Sequence, residues 1–499
     1  MRWILALAVL PACAAEHRRL FLDALTVEAS SGVERVFHSP AKHARNPLLK
    51  STTDWERGSS GPYLYGTVLH EDGLFRMWYH IVQQGYKNLY AESDDGIHWT
   101  KPELGIIPFN GSTANNLVVT VTQESGENPP RKERGQCHNP SVIPRPGAGY
   151  LMFCYGADYD KVRRATSVDG LRWIFDPETA RHGLFESSDV VNFFWDPYQH
   201  RFTATWKGST RRGRSVGVAW SGDGRAWTKP SAVPIFTADD LDPPDTQVYG
   251  MPVFPYEGLY IGLPWIYHAR VHYPPEMLMS REEAEAMSPR TVDVQLAWSW
   301  DLLHWTRPPA RAPFLATGPA GSWDSKMIYT ARAPVERNGK LYLYYGGFDT
   351  PHSEKSLNGA IGLAILRQDG FASMRASAAG GWLLTRRETV PEPRIRINAA
   401  VRPGGSVRAE VVDLRGNVIP GFEADQSEPF TGDETVHVLR WKTARFPGAR
   451  RNEVKKIRFL LRDADLLFLP ARAVGSSGPN KINRVPNETG AKGSLLPAP

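Results

Sequence analysis

The sequence predicts an all-β fold, and three observations carry that prediction. The first is a motif that returns. Ser93–Trp99 reads S-x-D-G-x-x-W, Ser167–Trp173 and Ser221–Trp227 repeat it, and Ser299–Trp305 keeps Ser, Asp and Trp with Leu302 in place of Gly. Arg367-Gln368-Asp369-Gly370 is a worn fifth copy. The second is alternation: runs such as Asn88–Ala91, Val216–Trp220 and Val294–Trp298 precede the motif, as half-buried strands do. The third is composition. Of 499 residues, 44 are Gly and 40 Pro, and 16 are Trp, a mix that suits short strands and tight turns.

Each motif reads as a hairpin turn. Asp-Gly supplies the positive φ angles of a two-residue turn. The Ser and Asp side chains bond nearby amides, and the Trp packs back over the hairpin. Two further strands lie upstream of each copy. In the first unit these are Tyr63–Leu69 and Leu74–Tyr79, and in the last Tyr329–Val335 and Leu341–Tyr345. Four antiparallel strands repeated around an axis make a propeller blade. Five units therefore predict a five-bladed β-propeller over residues 40–387, followed by a small C-terminal β-sandwich over 394–472, where strand-like runs continue without the motif.

The remaining stretches carry other signals. Residues 1–15 read as an export signal: Arg2, an apolar run from Trp3 to Leu10, then Ala12-Cys13-Ala14. Lipid attachment at Cys13 is the alternative. Either predicts a secreted or periplasmic protein. Gln123–Gln136 reads as a polar surface loop. Pro274–Pro289 contains the capping box Ser280-Arg281-Glu282-Glu283 and predicts one short helix. Residues 473–499 predict a disordered tail. The net charge of +6 is spread along the chain, which argues against a nucleic-acid partner. No later apolar run approaches a membrane span. Cys137 and Cys154 make no disulfide framework, and their pairing is open.

A propeller binds ligands where the innermost strands begin. Those positions offer Asp54-Trp55-Glu56, His138-Asn139, Glu186 and Asp189, Asp245 with Tyr249, and Trp323-Asp324-Ser325-Lys326 followed by Tyr329 and Arg332. Four of five units thus begin with a carboxylate. Glycosidic bond cleavage commonly uses two carboxyl groups, an acid and a base or nucleophile. A third can raise the acid's pKa by like-charge repulsion. The expected catalytic set is Glu56 or Glu186 as acid, Asp189 and Asp324 as base, nucleophile or stabiliser, and Asp245 as modulator. Trp55, Asn139, Tyr249, Trp323, Lys326, Tyr329 and Arg332 are the expected substrate contacts. His138 either joins them or bonds a backbone carbonyl. Asp239, Asp240, Asp242 and Asp245 form an acidic loop that could hold Ca²⁺, with a solvated loop as the alternative. No other cofactor is implied, and no histidine spacing suggests a metal.

The chain resembles the five-bladed propeller glycoside hydrolases of families 43, 32 and 68. It is most similar to secreted bacterial proteins with a family-32-like N-terminal domain. The likeness rests on Tyr90–Gly105 (YAESDDGIHWTKPELG), Phe194-Trp195-Asp196-Pro197, Gly321–Ser325 (GSWDS) and Leu343–Gly347 (LYYGG). It extends through Gly404-Gly405-Ser406-Val407 and Arg462–Leu466 (RDADL). The resemblance implies a secreted carbohydrate-active enzyme with a carboxylate nucleophile or base, a Glu acid and a supporting Asp. Three invertase-type motifs are missing. Asp54-Trp55-Glu56 stands near the place of W-x-N-D-P-N-G, His138-Asn139-Pro140 replaces R-D-P, and Glu186 is the nearest stand-in for the E-C glutamate. Two rival readings follow: a propeller that binds a glycan without turnover, and a sialidase. The second fits less well, since sialidase boxes have one more residue between Asp and Gly and ring six blades.

Overall fold

The computed structural model describes residues 16–83, 85–119, 137–156, 161–270, 280, 283, 286–354, 357–386, 395–442 and 455–473. The export signal, the Gln123–Gln136 loop, most of the Pro274–Pro289 insertion and the tail beyond residue 473 lie outside them. Ser280 and Glu283 are described. The Glu283 amide donates to Ser280 Oγ (3.2 Å) and the Ser280 amide to Glu283 Oε2 (2.8 Å), as a capping box requires.

The chain is all-β and propeller-like. The first unit is an antiparallel sheet of Tyr63–Glu71, Leu74–Val82, Tyr86–Ser93 and Leu117–Val119. The second runs His138–Pro144, Tyr150–Gly156, Lys161–Ser167 and Ile174–Phe175. The third has Val191–Asp196, Arg201–Thr210 and Gly213–Ser221. In the fourth unit each long strand is broken midway. Pro252 and Pro264 stand at two of the breaks and have no N–H to give the ladder. Its outer halves form their own four-stranded sheet. Its inner halves join the fifth unit's sheet through one parallel pair, Val292↔Met327. The fifth unit adds Met327–Thr330, Val335–Arg337, Lys340–Phe348 and Ala360–Arg367, and Ala41–Lys42 from before the first unit is its outermost strand. Innermost strands neighbour one another from unit to unit: Tyr63–Glu71 lies beside both His138–Pro144 and Met327–Thr330, and Val191–Asp196 beside both His138–Pro144 and Val253–Tyr256.

The motif is a larger turn than a two-residue hairpin. Only its Gly takes a positive φ, 77° at Gly96, 78° at Gly170 and 74° at Gly224. In the first copy the Asp95 carboxylate accepts from the Ile97 and His98 amides (2.8 Å each), and Ser93 Oγ accepts from the Gly96 amide (2.9 Å). Two forward amide bonds carry the chain past a tight turn, and strand pairing resumes at Glu92↔Thr100. Asp169, Asp223 and Asp301 repeat the pattern. Leu302 holds the Gly position at φ 69° and is buried among Phe194, Met251 and their neighbours. In the fifth copy Asp369 stays in the turn at φ 62°, but its carboxylate binds Arg18 (2.9 Å) and Tyr256 OH (2.7 Å) instead.

These turns also join neighbouring units. Tyr344 OH of the fifth unit donates to Gly96 O (2.7 Å), and Trp78 Nε1 of the first donates to Gly170 O (2.8 Å). A Cβ on Gly96 would lie 2.5 Å from the Tyr344 hydroxyl and 2.9 Å from the Phe75 ring. Gly96→Ala is therefore expected to cost about 2 kcal/mol in stability through backbone strain and overpacking together. Denaturant unfolding of the variant checks this.

Beyond these units lies one sheet of eight strands. The long Lys456–Ala473 pairs with Glu16–Leu20, Ala372–Ala376, Gly381–Thr385 and Arg396–Val412. Val27–Ser31, Val33–Phe37 and Asp433–Val438 complete it. So residues 16–37 and 372–385, which lie outside the 394–472 segment read from sequence, share this sheet. Alternate residues of the long strands are buried: Val407, Ala409 and Val411 on one, Ile457, Phe459 and Leu461 on the other. Their core continues without a break into that of the fourth and fifth units. Cys137 and Cys154 form a disulfide that ties the start of the second unit to its next strand.

Candidate active site

The middle of the channel is filled with rings. Tyr65 packs against Tyr329 (4.6 Å between centroids), Trp265 (5.0 Å), His138 (5.3 Å) and His80 (5.6 Å). This plug separates the end where inner strands begin from the end where they finish. At the first end stands Asp189, just before Val191–Asp196.

Asp189 is held from two sides. Its main-chain oxygen accepts from His138 Nδ1 (2.7 Å) and Asn139 Nδ2 (2.6 Å). Its carboxylate pairs with the Lys207 ammonium and accepts from Ser188 Oγ (3.1 Å). Burial works to raise this carboxyl, but Lys207 and then His138 outweigh it and hold the pKa at about 2. The side chain keeps 38% of its exposure, so it is ionised and reachable. Around it, burial and the Asp189 charge push Tyr86 up to about 12. Lys207 lies 4.5 Å from the Tyr249 ring centroid. Tyr249 OH meets His352 Nε2 at 3.0 Å, and the Arg214 guanidinium sits 4.7 Å from the Tyr267 ring. Asp245 lies further round the rim and acts on His268. Burial lowers His268, but the Asp293 hydrogen bond (2.7 Å) and the Asp293 and Asp245 charges raise it overall.

The other expected site residues lie elsewhere. Glu56 is fully buried under the outer strands of the first unit. It pairs with Lys101 and accepts from Thr53 Oγ1 (2.9 Å) and Tyr79 OH (2.9 Å). Trp55 beside it donates to Asn116 Oδ1 (2.8 Å). Asp324 is buried against Lys42 (2.6 Å) and Tyr345 OH (3.0 Å), with Trp323 stacked on the Tyr345 ring. Both carboxylates are buried, unlike that of Asp189, and each is paired with a lysine. The Glu186 side chain is exposed at the edge of the second unit, where its main-chain oxygen accepts from Lys229. Lys326 is exposed at the start of the fifth unit's inner strand. Asn139 and Tyr329 are buried near the axis, and Arg332 reaches the opposite end of the channel. In the acidic loop, Asp239 and Asp242 pair with Arg307, and Asp239 with Arg311. Guanidinium groups thus occupy the oxygens a Ca²⁺ would need, and the loop does not fit that ion.

Sequence reasoning missed Lys207, Tyr86, Arg214 and His352. Antiparallel pairing brings the end of each second strand, and the start of each third, beside the start of the first. The signal was available as residues in the last part of strand two, such as Lys207 after Trp206.

Burial lowers His138 to about 4, against the pull of Asp189, and drives the adjacent His80 well below its ordinary value. A histidine kept neutral when folded protonates first in the unfolded chain. His138 should therefore cost stability as pH falls from 6.5 towards 4, by roughly 2 kcal/mol. Melting temperature against pH measures this, and His138→Gln should flatten the curve over that window.

No protein-family model matches the chain. Over 175 residues it is 26% identical to the uncharacterized protein MT1551 of Mycobacterium tuberculosis strain CDC 1551 / Oshkosh, and equally to Rv1502 of strain H37Rv. The match takes in 32% of this chain and 46% of each relative, so the chain spans about half the length of the curated relatives it matches. Among solved structures, a glycosyl hydrolase from Bacteroides ovatus shares 16% identity at a TM-score of 0.44, over 66% of this chain and 94% of its own. A beta-1,2-mannobiose phosphorylase from Listeria innocua shares 12% at the same TM-score, over 66% and 97%.

Proposed function

We propose that the chain is an exported carbohydrate-active enzyme of glycosidase type, cleaving a glycosidic bond in a poly- or oligosaccharide at the mouth around Asp189. The observation that carries this is an ionised, reachable carboxylate at the start of an inner strand, set among Tyr86, Tyr249 and Lys207. Aromatic faces suit sugar rings, and a fixed negative charge stabilises an oxocarbenium-like transition state. Asp245, next along the rim, is the second carboxyl of the pair. In this reading the five repeat units are five blades, the fourth being divided by its prolines, and the eight-stranded sheet supplies the sandwich. A Cys137–Cys154 disulfide accords with an oxidising compartment.

A second reading, a propeller that binds glycan without turnover, is favoured by one observation. Two of the expected acids, Glu56 and Asp324, are sequestered with lysines, and the second unit offers neutral Asn139 in the family's Asp position. Incubation with a polysaccharide panel, with products resolved by chromatography, separates the two when paired with a glycan array. Released sugar supports hydrolysis. Binding without release supports the second reading, and neither outcome sinks both.

A further inference from the structure

The inner strands finish at a cavity of about 940 Å³, at the end of the channel opposite Asp189. Pro144 and Tyr256 end two of the strands that frame it, and Pro334 lies in the break of a third. The ring plug of Tyr65, Trp265 and Tyr329 lies between the two ends, so a ligand here would not touch the mouth.

Arg332 is the notable group in its wall. The fifth unit's inner strand is interrupted after Thr330, and the Arg332 amide there donates to Gly66 O (3.1 Å). Its Nε donates to Thr67 Oγ1 (3.2 Å), a hydroxyl that also donates to Pro140 O (3.1 Å). Among the described residues, its two terminal amino groups make no hydrogen bond or ion pair. Burial pulls this guanidinium down to about 10, and Glu71 offsets only part of that. Acids around the cavity are otherwise engaged. Asp223 caps its own turn, and Glu336 accepts from the Gln368 side chain and lies 4.0 Å from Arg18. A cation whose burial is only partly offset is costly, and an anion would relieve that cost. The planar fork matches a carboxylate with two parallel bonds. The lining also includes the rings of Phe202, Phe254 and Tyr256, and that of Trp195, which is 39% exposed. Arg145 and Arg164 also line the cavity, Arg164 paired with Asp176 (3.3 Å). Flat apolar faces beside cationic guanidinium groups suit a ring compound carrying a carboxylate.

We propose that this cavity is a second ligand site, remote from the reaction mouth, which binds a sugar-sized acid through Arg332 with the ring against the Trp195 side. The proposal does not depend on the glycosidase reading. Titration of the full chain with glucuronate, followed by tryptophan fluorescence and by calorimetry, tests it. Saturable binding is expected, with glucose at least tenfold weaker. Arg332→Met should weaken glucuronate at least tenfold, and Trp195→Ala, a change at an exposed rim, should weaken it while the melt stays unaltered. Lys207→Met at the mouth should leave the affinity unchanged. Equal binding of glucose and glucuronate would overturn the proposal. So would loss of binding in Lys207→Met rather than in the cavity variants, or the absence of any saturable binding. Should Arg332→Met fail to fold, Trp195→Ala decides alone.

Discussion

Asp189→Asn is expected to lower turnover by about 10²–10⁴-fold while leaving the fold nearly as stable as before. The carboxylate is the charged oxygen pair that the mouth presents beside Tyr86 and Tyr249, and Asn keeps its shape but not its charge. Stability should change little, within about 1 kcal/mol, because the ion pair with Lys207 is partly exposed and such pairs contribute modestly. Since the carboxyl titrates at about 2, it is ionised throughout the working range. Any acid limb in the rate profile between pH 4 and 7 must then come from another group, and it should survive in the residual activity of the variant. Steady-state rates across pH on the substrate found by product analysis, with a melt alongside, give both numbers. Wild-type turnover in Asp189→Asn would remove this residue from the reaction.

Glu56→Gln should behave in the opposite way, lowering stability by about 3–5 kcal/mol. Glu56 is fully buried, and Lys101, its partner, is nearly so. Removing one charge leaves the other stranded in a dry interior, and the bonds from Tyr79 and Thr53 lose their ionised acceptor. Denaturant midpoints measure the loss. Activity per folded molecule should remain, because Glu56 lies beneath the first unit's outer strands and away from the mouth. A stable variant with no activity would reverse both assignments at once.

The contrast between these two acids marks what the sequence makes legible. The recurrent turn can be read directly, because every bond that builds it joins residues two or three positions apart, such as Asp95 to Ile97 and His98. The order of strands follows from it, and the start of each inner strand follows in turn, which is where Asp189 stands. Partners from afar are not legible. Lys101 reaches Glu56 across 45 positions and Lys42 reaches Asp324 across 282, so two buried ion pairs looked like two free carboxylates. Lys207 and Tyr86 enter the site only once the hairpins are closed. The eight-stranded sheet hid for the same reason, since Glu16–Leu20 pairs with residues near the far end of the chain.

The pairing of Ala41–Lys42 with Ala360–Arg367 has a consequence for biogenesis. A chain that emerges from the ribosome, or threads through an export channel, delivers its early segments first. The short segment at 41–42 must wait, unengaged, until more than three hundred later residues have followed it out. Docking of that segment, and burial of Asp324 by Lys42, are therefore among the last events of maturation. A truncation ending before residue 360 should leave a splayed, protease-sensitive product rather than a smaller native one.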